Sequence, residues 1–542
     1  MTTLSFEAAG AALAAVEKNV PSLVRNDVAA RLLAQDPTLW GPDAEAEASV
    51  RLGWLNPSEA SRPLVGQIRG LREELAAEGV TRVVLAGMGG SSLAPEVITR
   101  TAGVDLTVLD STDPDAVRAA LESRLEETVI VVSSKSGSTV ETDSQRRTFE
   151  QAFTDAGIDA KSRIVIVTDP GSPLDSAARE AGYRAVFNAD PNVGGRYSAL
   201  TAFGLVPSGL AGADIETLLD DAEDALEILS DNAADNIGLQ LGAALGGTSP
   251  LRNKVVIVDE GSGLVGFPDW AEQLIAESTG KLGTGLLPVV VEPGAPEITS
   301  RAADVLTVRL VAVDSDAAPE GDQAVVAGTL GGSMMLWEVA TAVAGRLLGI
   351  NPFDQPDVEA AKKAARGMLD ARPEPTAPAF TDGAVEVRGP AELLGNATTL
   401  REALAALTGR LGSDGYLSIH AYLDRFRQAE LAGIRPELAA ATGRPVTFGW
   451  GPRFLHSTGQ FHKGGPAQGA FLQITGEPGE DLPIPGRPFT FGELISAQAA
   501  GDAKVLADQG RPVLRLNLLN REQGVRELED AVRSLVREDG IS

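Results

Sequence analysis

The chain contains no cysteine. That excludes a disulfide framework, a thiolate nucleophile and a cysteine-ligated metal, and it suits a reducing cytoplasm, the expected compartment. Histidine is nearly as scarce: His420, His456 and His462 are the whole supply. No acidic partner is spaced to complete a metal site around them, so no metal is expected. Positive charge is short as well, with 46 Lys and Arg against 75 Asp and Glu and a net charge of -29. Such a balance opposes binding to nucleic acid and to anionic membrane surfaces, and neither is expected as a partner. An anionic substrate must then be held by local cations against the overall field. No apolar run is long enough to span a bilayer, and the alanine-rich start carries Glu7, Glu17 and Lys18 in place of a basic leader. Neither a membrane anchor nor a secretory signal is therefore expected.

What is present reads as globular: 542 residues, 43% hydrophobic and 22% charged, enough for more than one core. Residues 1–80 read as helical, with Val24, Val28 and Leu32 four apart and charged residues between them. In 81–190, strands at 82–86, 106–109, 128–132, 163–167 and 184–187 alternate with helices. Their near-continuous apolar character suits a parallel sheet covered on both faces. A second α/β unit, 191–371, has strands at 254–258, 286–291 and 305–313 and helices at 216–229, 236–245 and 330–348. A proline-rich linker at 372–378 leads to a third α/β segment, 380–542, with strands at 416–422, 445–450, 471–475 and 513–518.

The most informative stretch is Ser133-Ser134-Lys135-Ser136-Gly137-Ser138-Thr139, delivered by the apolar run 128–132. Short hydroxyl donors, one cation and a glycine that admits close backbone approach suit a phosphate monoester, and a helix start behind them adds to this. The spacing is not that of a nucleotide-binding Walker loop, so a compact phosphorylated metabolite fits better. Gly87-Met88-Gly89-Gly90-Ser91-Ser92 follows strand 82–86 in the same way. In an open parallel sheet both loops gather at the carboxyl ends of strands and can share one site.

Other segments admit two readings each. Arg196, after Gly194-Gly195, either binds an anion or is a surface or interdomain arginine. Glu277, at the end of a helix closed by Gly280, is either a desolvated general base or a solvated glutamate. Lys362, beyond Phe353-Asp354-Gln355-Pro356, faces a cleft or pairs with Asp357 or Glu359. The loop carrying His456 and His462 between Arg453 and Lys463 is either a proton-transfer segment or a polar surface loop. His420 lies in an apolar strand pattern and reads as a satisfied core histidine.

Taken together, residues 87–92, 134–139, 194–202, 277–281 and 353–362 resemble glucose-6-phosphate isomerases, over roughly residues 80–365. The resemblance implies two sugar isomerase (SIS) type doubly wound parallel-sheet domains, here with an additional C-terminal α/β segment. It implies a cofactor-independent aldose–ketose isomerase of glycolysis and gluconeogenesis that interconverts glucose 6-phosphate and fructose 6-phosphate through a cis-enediol. By the same resemblance Gly90, Ser91, Ser134, Lys135, Ser136, Thr139 and Gln355 bind the substrate. Glu277 shuttles the proton between C1 and C2, Arg196 stabilises developing negative charge and Lys362 assists ring opening. One departure stands out: residues 282–352 hold no histidine, where the family carries a histidine motif. The nearest echo is Ser457-Thr458-Gly459-Gln460-Phe461-His462, and the layout is similar to the isomerase half of fused transaldolase/glucose-6-phosphate isomerases. The C-terminal segment is therefore expected to fold back and supply His456 or His462 as the ring-opening acid/base; the alternative is that it only binds a partner and ring opening relies on Lys362 or is spontaneous. In the family that histidine can come from a neighbouring subunit, so a homodimer is a further expectation. Two alternatives remain: an isomerase that also accepts mannose 6-phosphate, and a non-catalytic sugar-phosphate sensor.

Overall fold

A computed structural model describes residues 4–300, 302–371 and 377–538. The chain opens on a strand, β1 (Leu4–Ala8), before the helices Gly10–Arg25, Val28–Leu33, Pro42–Ala48 and Pro57–Ala77. This differs from the wholly helical reading of residues 1–80. Leu4, Phe6 and Ala8 are half-buried and alternate with exposed Ser5 and Glu7, and that two-residue period is enough for an edge strand.

The first sheet comprises β2 (Arg82–Gly87), β3 (Thr107–Leu109), β4 (Thr128–Ser133), β5 (Ile164–Thr168) and β6 (Ala185–Asn188). It is parallel throughout, in the order β3-β2-β4-β5-β6. Every residue of β2, β4 and β5 is buried, as helices on both faces require. The second sheet comprises β7 (Lys254–Asp259), β8 (Leu287–Val291), β9 (Val305–Leu310) and β10 (Gln323–Gly328), in the order β1-β10-β9-β7-β8. β1 returns from the N-terminus to pair antiparallel with β10 at the edge, with Phe6 opposite Val326. Helix Leu330–Leu348 is buried almost all round, because it packs between helices 215–230 and 237–246.

The third sheet contains β11 (Phe380–Asp382), β12 (Val385–Arg388), β13 (Tyr416–Tyr422), β14 (Val446–Trp450), β15 (Gly469–Gly476) and β16 (Val513–Leu518). Its order is β11-β12-β16-β15-β13-β14, with β13 to β16 parallel and β12 antiparallel to β16. Ranked along the chain, the parallel strands of all three sheets run second-first-third-fourth. One face of the third sheet is apolar: Val385, Val387, Ile419, Leu472, Ile474, Leu514 and Leu516 join one core with helices Leu400–Thr408, Ile434–Thr442 and Arg521–Glu538. The alternate residues make the other face polar.

Part of that polar face is sealed under helix Phe491–Asp508. There the Lys463 ammonium lies 2.6 Å from the Asp502 carboxylate, whose other oxygen is 3.2 Å from His420 Nδ1. His420 Nε2 and His462 Nε2 both meet Ser418 Oγ, at 3.0 and 3.2 Å, and His462 Nδ1 meets the Tyr416 hydroxyl at 3.0 Å. His420 is thus a satisfied core histidine at 1% exposure. Burial first, then the charges of His420 and Lys463, hold the His462 imidazole well below the ordinary value of 6.5. The native state keeps it neutral, while the unfolded chain takes up a proton near that ordinary value. The stability it supports is therefore intact above about pH 6.5 and is lost as pH falls below that point. Denaturant titrations between about pH 7.5 and about pH 5.5 should show this group subtracting ~1.4 kcal/mol per unit of pH below its unfolded value. His462→Gln should flatten the slope by that share, and equal slopes in both proteins would mean the ring is not held neutral.

Candidate active site

The first and third strands of the first unit, β2 and β4, are neighbours, and their carboxyl ends carry the two loops singled out from the sequence. This is where the strand order reverses and an open α/β sheet leaves a crevice. β2 runs into the 3-10 turn Gly89–Ser91, and β4 into residues 134–139 ahead of helix Val140–Asp155. Gly90 is buried against Gly195, and a Cβ there would overlap the Gly195 carbonyl oxygen. Only glycine lets the first loop and the Arg196 turn close on each other.

Arg196, 3% exposed, is gripped from four directions. Its Nε donates to Ser278 Oγ at 2.9 Å, Nη1 to Gln355 Oε1 at 2.8 Å, and Nη2 to the carbonyls of Pro352 and Asp354 at 3.0 and 2.8 Å. Nη1 also lies 3.4 Å from Glu277 Oε1. The next residue, Tyr197, stacks on Trp54 with ring centroids 5.0 Å apart and accepts a hydrogen bond from Ser278 Oγ at 3.3 Å. Glu277 stands one turn beyond Gln273 on helix Phe267–Thr279 and is 6% exposed. The Gln273 amide donates both to Glu277 Oε2 at 3.1 Å and to the His456 carbonyl at 2.7 Å. Lys281 closes the floor, donating to Asp354 Oδ1 at 2.7 Å and to the Asn351 carbonyl at 2.7 Å. Burial, then the Arg196 charge, push its ammonium down to about 8.

The third unit completes the wall. His456 Nε2 lies 3.3 Å from Glu141 Oε1, in the first turn after the Ser/Thr loop. Gln498 donates to the same oxygen at 2.7 Å and accepts from Thr112 Oγ1 at 2.6 Å. The loop itself is tied together by Ser134 Oγ donating to Thr139 Oγ1 at 3.0 Å and by Ser136 with Ser138 at 2.8 Å. Lys135 is held 2.8 Å from Asp169. Hydrogen bonds and ion pairs thus link Glu141, His456 and Gln273 to Glu277, Arg196 and Gln355, and Glu141 follows the hydroxyl loop directly in the chain.

Of the expected residues, Gly90, Glu277, Arg196, Gln355 and His456 stand in direct contact with this chain of side chains or with the turn that carries Arg196. Ser134, Lys135, Ser136 and Thr139 form the adjoining loop, with Ser91 at the mouth of the neighbouring one. His462 does not reach the site, which corrects the expectation that it serves as the alternative acid/base. On the short helix Gly459–Gly464 the Gln460 amide turns toward Glu277's helix, donating to the Gly280 carbonyl at 2.9 Å. A residue two positions on points the opposite way, so His462 enters the third unit's core with both ring nitrogens occupied. Lys362 lies on helix Val358–Ala371, but its side chain is outside the described residues, as is most of the proline-rich linker. Sequence reading missed Glu141, Gln273 and Gln498. The four-residue spacing of Gln273 and Glu277 was a usable signal, whereas nothing local marks Gln498. Among the described residues no group of three His, Asp or Glu side chains is gathered to hold a metal ion.

Comparison with known proteins agrees with this geometry. Residues 64–281 match the phosphoglucose isomerase family. A glucose-6-phosphate isomerase from Cyanothece sp. is 29% identical over 53% of this chain and 66% of its own length. A relative from Natronomonas pharaonis, named as a probable glucose-6-phosphate isomerase, is 31% identical over 53% of this chain and 78% of its own. The chain thus spans just under two thirds of the cyanobacterial relative. Among solved structures, a hypothetical protein from Thermus thermophilus superposes with a TM-score of 0.57 at 25% identity, covering 68% of this chain and 99% of that one. A glucose-6-phosphate isomerase from Chlamydia trachomatis has the same fold, with a TM-score of 0.50 at 20% identity over 60% of this chain and 75% of its own. With its loops, its buried arginine–glutamate pair and these relatives, the chain belongs to the glucose-6-phosphate isomerase family.

Proposed function

We propose that this chain interconverts glucose 6-phosphate and fructose 6-phosphate by moving a proton between C1 and C2 through a cis-enediol intermediate. The observation that carries the reading is the placement of Glu277, a buried carboxylate between the Arg196 guanidinium at 3.4 Å and the Gln273 amide at 3.1 Å. A carboxylate so held is a base of fixed direction beside a cation, and the cation offsets charge that builds on the enediolate oxygens. The hydroxyl loop 134–139 receives the phosphate, with the start of helix Val140–Asp155 behind it. His456 is the ring-opening acid/base in this reading. Its imidazole is aimed by Glu141, as a carboxylate fixes the tautomer and orientation of a catalytic histidine. Retention of Glu277 and Arg196 together favours turnover over sensing, because a sensor needs only the phosphate loop.

Two measurements test the assignment. Glu277→Gln should lower kcat by roughly 10²–10⁴-fold and abolish exchange of the substrate C2 hydrogen with solvent, with affinity for a phosphate-bearing ligand nearly unchanged. Equal loss of binding would make Glu277 structural. His456→Ala should slow turnover of cyclic substrate while sparing the open-chain form, and His462→Ala should show no such selectivity. A defect equal on both forms in the His456 variant would remove it from ring opening.

A further inference from the structure

The third sheet has a second crevice of its own. Its parallel strands repeat the order of the first unit, and β13 and β15 are adjacent at the point where that order reverses. Beside that point, over β12 and β16, lies a cleft of about 1550 Å³, lined by Arg388, Arg515 and Asn517 on those strands and reached by Tyr422 and Thr475 at the ends of β13 and β15. It exceeds the roughly 300–1,000 Å³ usual for small-molecule sites. Its floor is the uncovered part of the polar face, and one wall is helix Phe491–Asp508, which presents Ala497 and Ala500 to the space. Small side chains keep that wall from filling the cleft, and Met368 and Leu369 line it from another side.

The charges on the floor are arranged unusually. Arg388 and Arg515 stand directly opposite each other on the antiparallel pair β12 and β16. Like charges in that register repel, and burial together with Arg388 pushes the Arg515 guanidinium down from its ordinary value. Arg388 is compensated by Glu386 at 2.8 Å. Arg515 donates its Nε to Gln473 Oε1 at 3.0 Å, and among the described residues it has no carboxylate within ion-pair distance. The cleft also carries carboxylates, each with a partner of its own: Glu477 accepts from Asn517 at 3.1 Å, Glu480 lies 3.6 Å from Arg118, and Glu493 accepts from the Thr490 amide at 2.9 Å. Glu386 also accepts from Asn517 at 3.1 Å, and Asp481 accepts from Thr490 Oγ1 at 2.5 Å and from the Gly492 amide at 2.8 Å. A planar cation in a walled cleft, unneutralised and facing a like charge, matches the fork geometry of a carboxylate or phosphate.

We propose that this cleft binds a metabolite-sized organic anion, whose carboxylate or phosphate pairs with Arg515 and whose body lies along the Ala497 and Ala500 wall. This site is separate from the 134–139 loop and independent of the isomerase assignment. Calorimetric titration of the full chain with malonate, inorganic phosphate and AMP tests it, paired with hydrogen exchange over residues 471–476 and 513–518. The expected result is a saturable site for at least one probe that protects those strand ends. It should persist in Ser134→Ala/Thr139→Ala, weaken at least tenfold in Arg515→Gln, and disappear in Ala500→Leu, where the added side chain occupies the cleft. If no probe binds, or if binding survives both cleft variants and is lost in the loop variant, the proposal is wrong. The Glu277 experiment is untouched by either outcome.

Discussion

A buried guanidinium organises this molecule. Arg196 cannot sit at 3% exposure unless its donors are satisfied, and they are satisfied by segments far apart in the chain: Ser278, Gln355 and the carbonyls of Pro352 and Asp354. Each partner is thereby fixed relative to Glu277, which supplies the compensating charge at 3.4 Å. Removing one member of such a buried pair typically costs about 3–5 kcal/mol, because the other is left uncompensated. The requirement of charge balance and the requirement of a fixed carboxylate are thus met by one arrangement. Lys281 extends the same logic, since three acceptors on the 351–354 loop hold its ammonium beneath the arginine's partners.

The three sheets show how one winding rule serves different ends. In each, the parallel strands run second-first-third-fourth, and the position beyond the fourth is taken by β6, by the antiparallel β1, or by the antiparallel β12. In the first unit the reversal point carries glycines and hydroxyls, so backbone and short donors approach a ligand closely. In the third unit a cleft lies beside the corresponding point, over β12 and β16, and is lined by longer polar side chains such as Arg388, Arg515 and Asn517. The helix Phe491–Asp508 faces both environments: Ala497 and Ala500 border the cleft, while Gln498 reaches Glu141 and Asp502 anchors the buried histidine network. A helix with two polar commitments on one side is held too firmly to slide and fill the space on the other.

Much of this was legible in the sequence, and the gaps have physical causes. Strands such as 254–259, 416–422 and 513–518 announce themselves by β-branched and apolar runs bounded by turn residues. β1 and β11 did not, because edge strands are short and half exposed, and their weak alternation is overshadowed by alanine-rich helices or a proline-rich linker. At the site, the two loops stood out by their local spacing, whereas Glu277 stood out from a solvated glutamate only through the family resemblance. Gln498 was not, since a glutamine in a helix acquires meaning only when 357 residues of chain bring it back to Glu141. The ambiguity between His456 and His462 was of the same kind. Six positions apart in one polar loop, they are chemically equivalent until the 3-10 turn Arg453–His456 and the helix Gly459–Gly464 send them into different surroundings.

That separation also bears on why the third unit is built onto the first two. His456 touches the first unit through Glu141 and the second through Gln273, so its position depends on three packed bodies at once. Gly89 leaves room for this contact, since a Cβ there would stand 2.8 Å from both the Gln273 amide and the His456 carbonyl. Gly280 does the same beneath Phe461. In the proposed reaction the histidine opens the ring and the glutamate moves the proton, and these acts need different walls of one pocket. A histidine carried on the third unit can be placed opposite the glutamate without disturbing the helix that bears it. The small residues at the seam are what permit that close approach, and they tie the third unit's docking to the chemistry more directly than any single hydrogen bond across the interface.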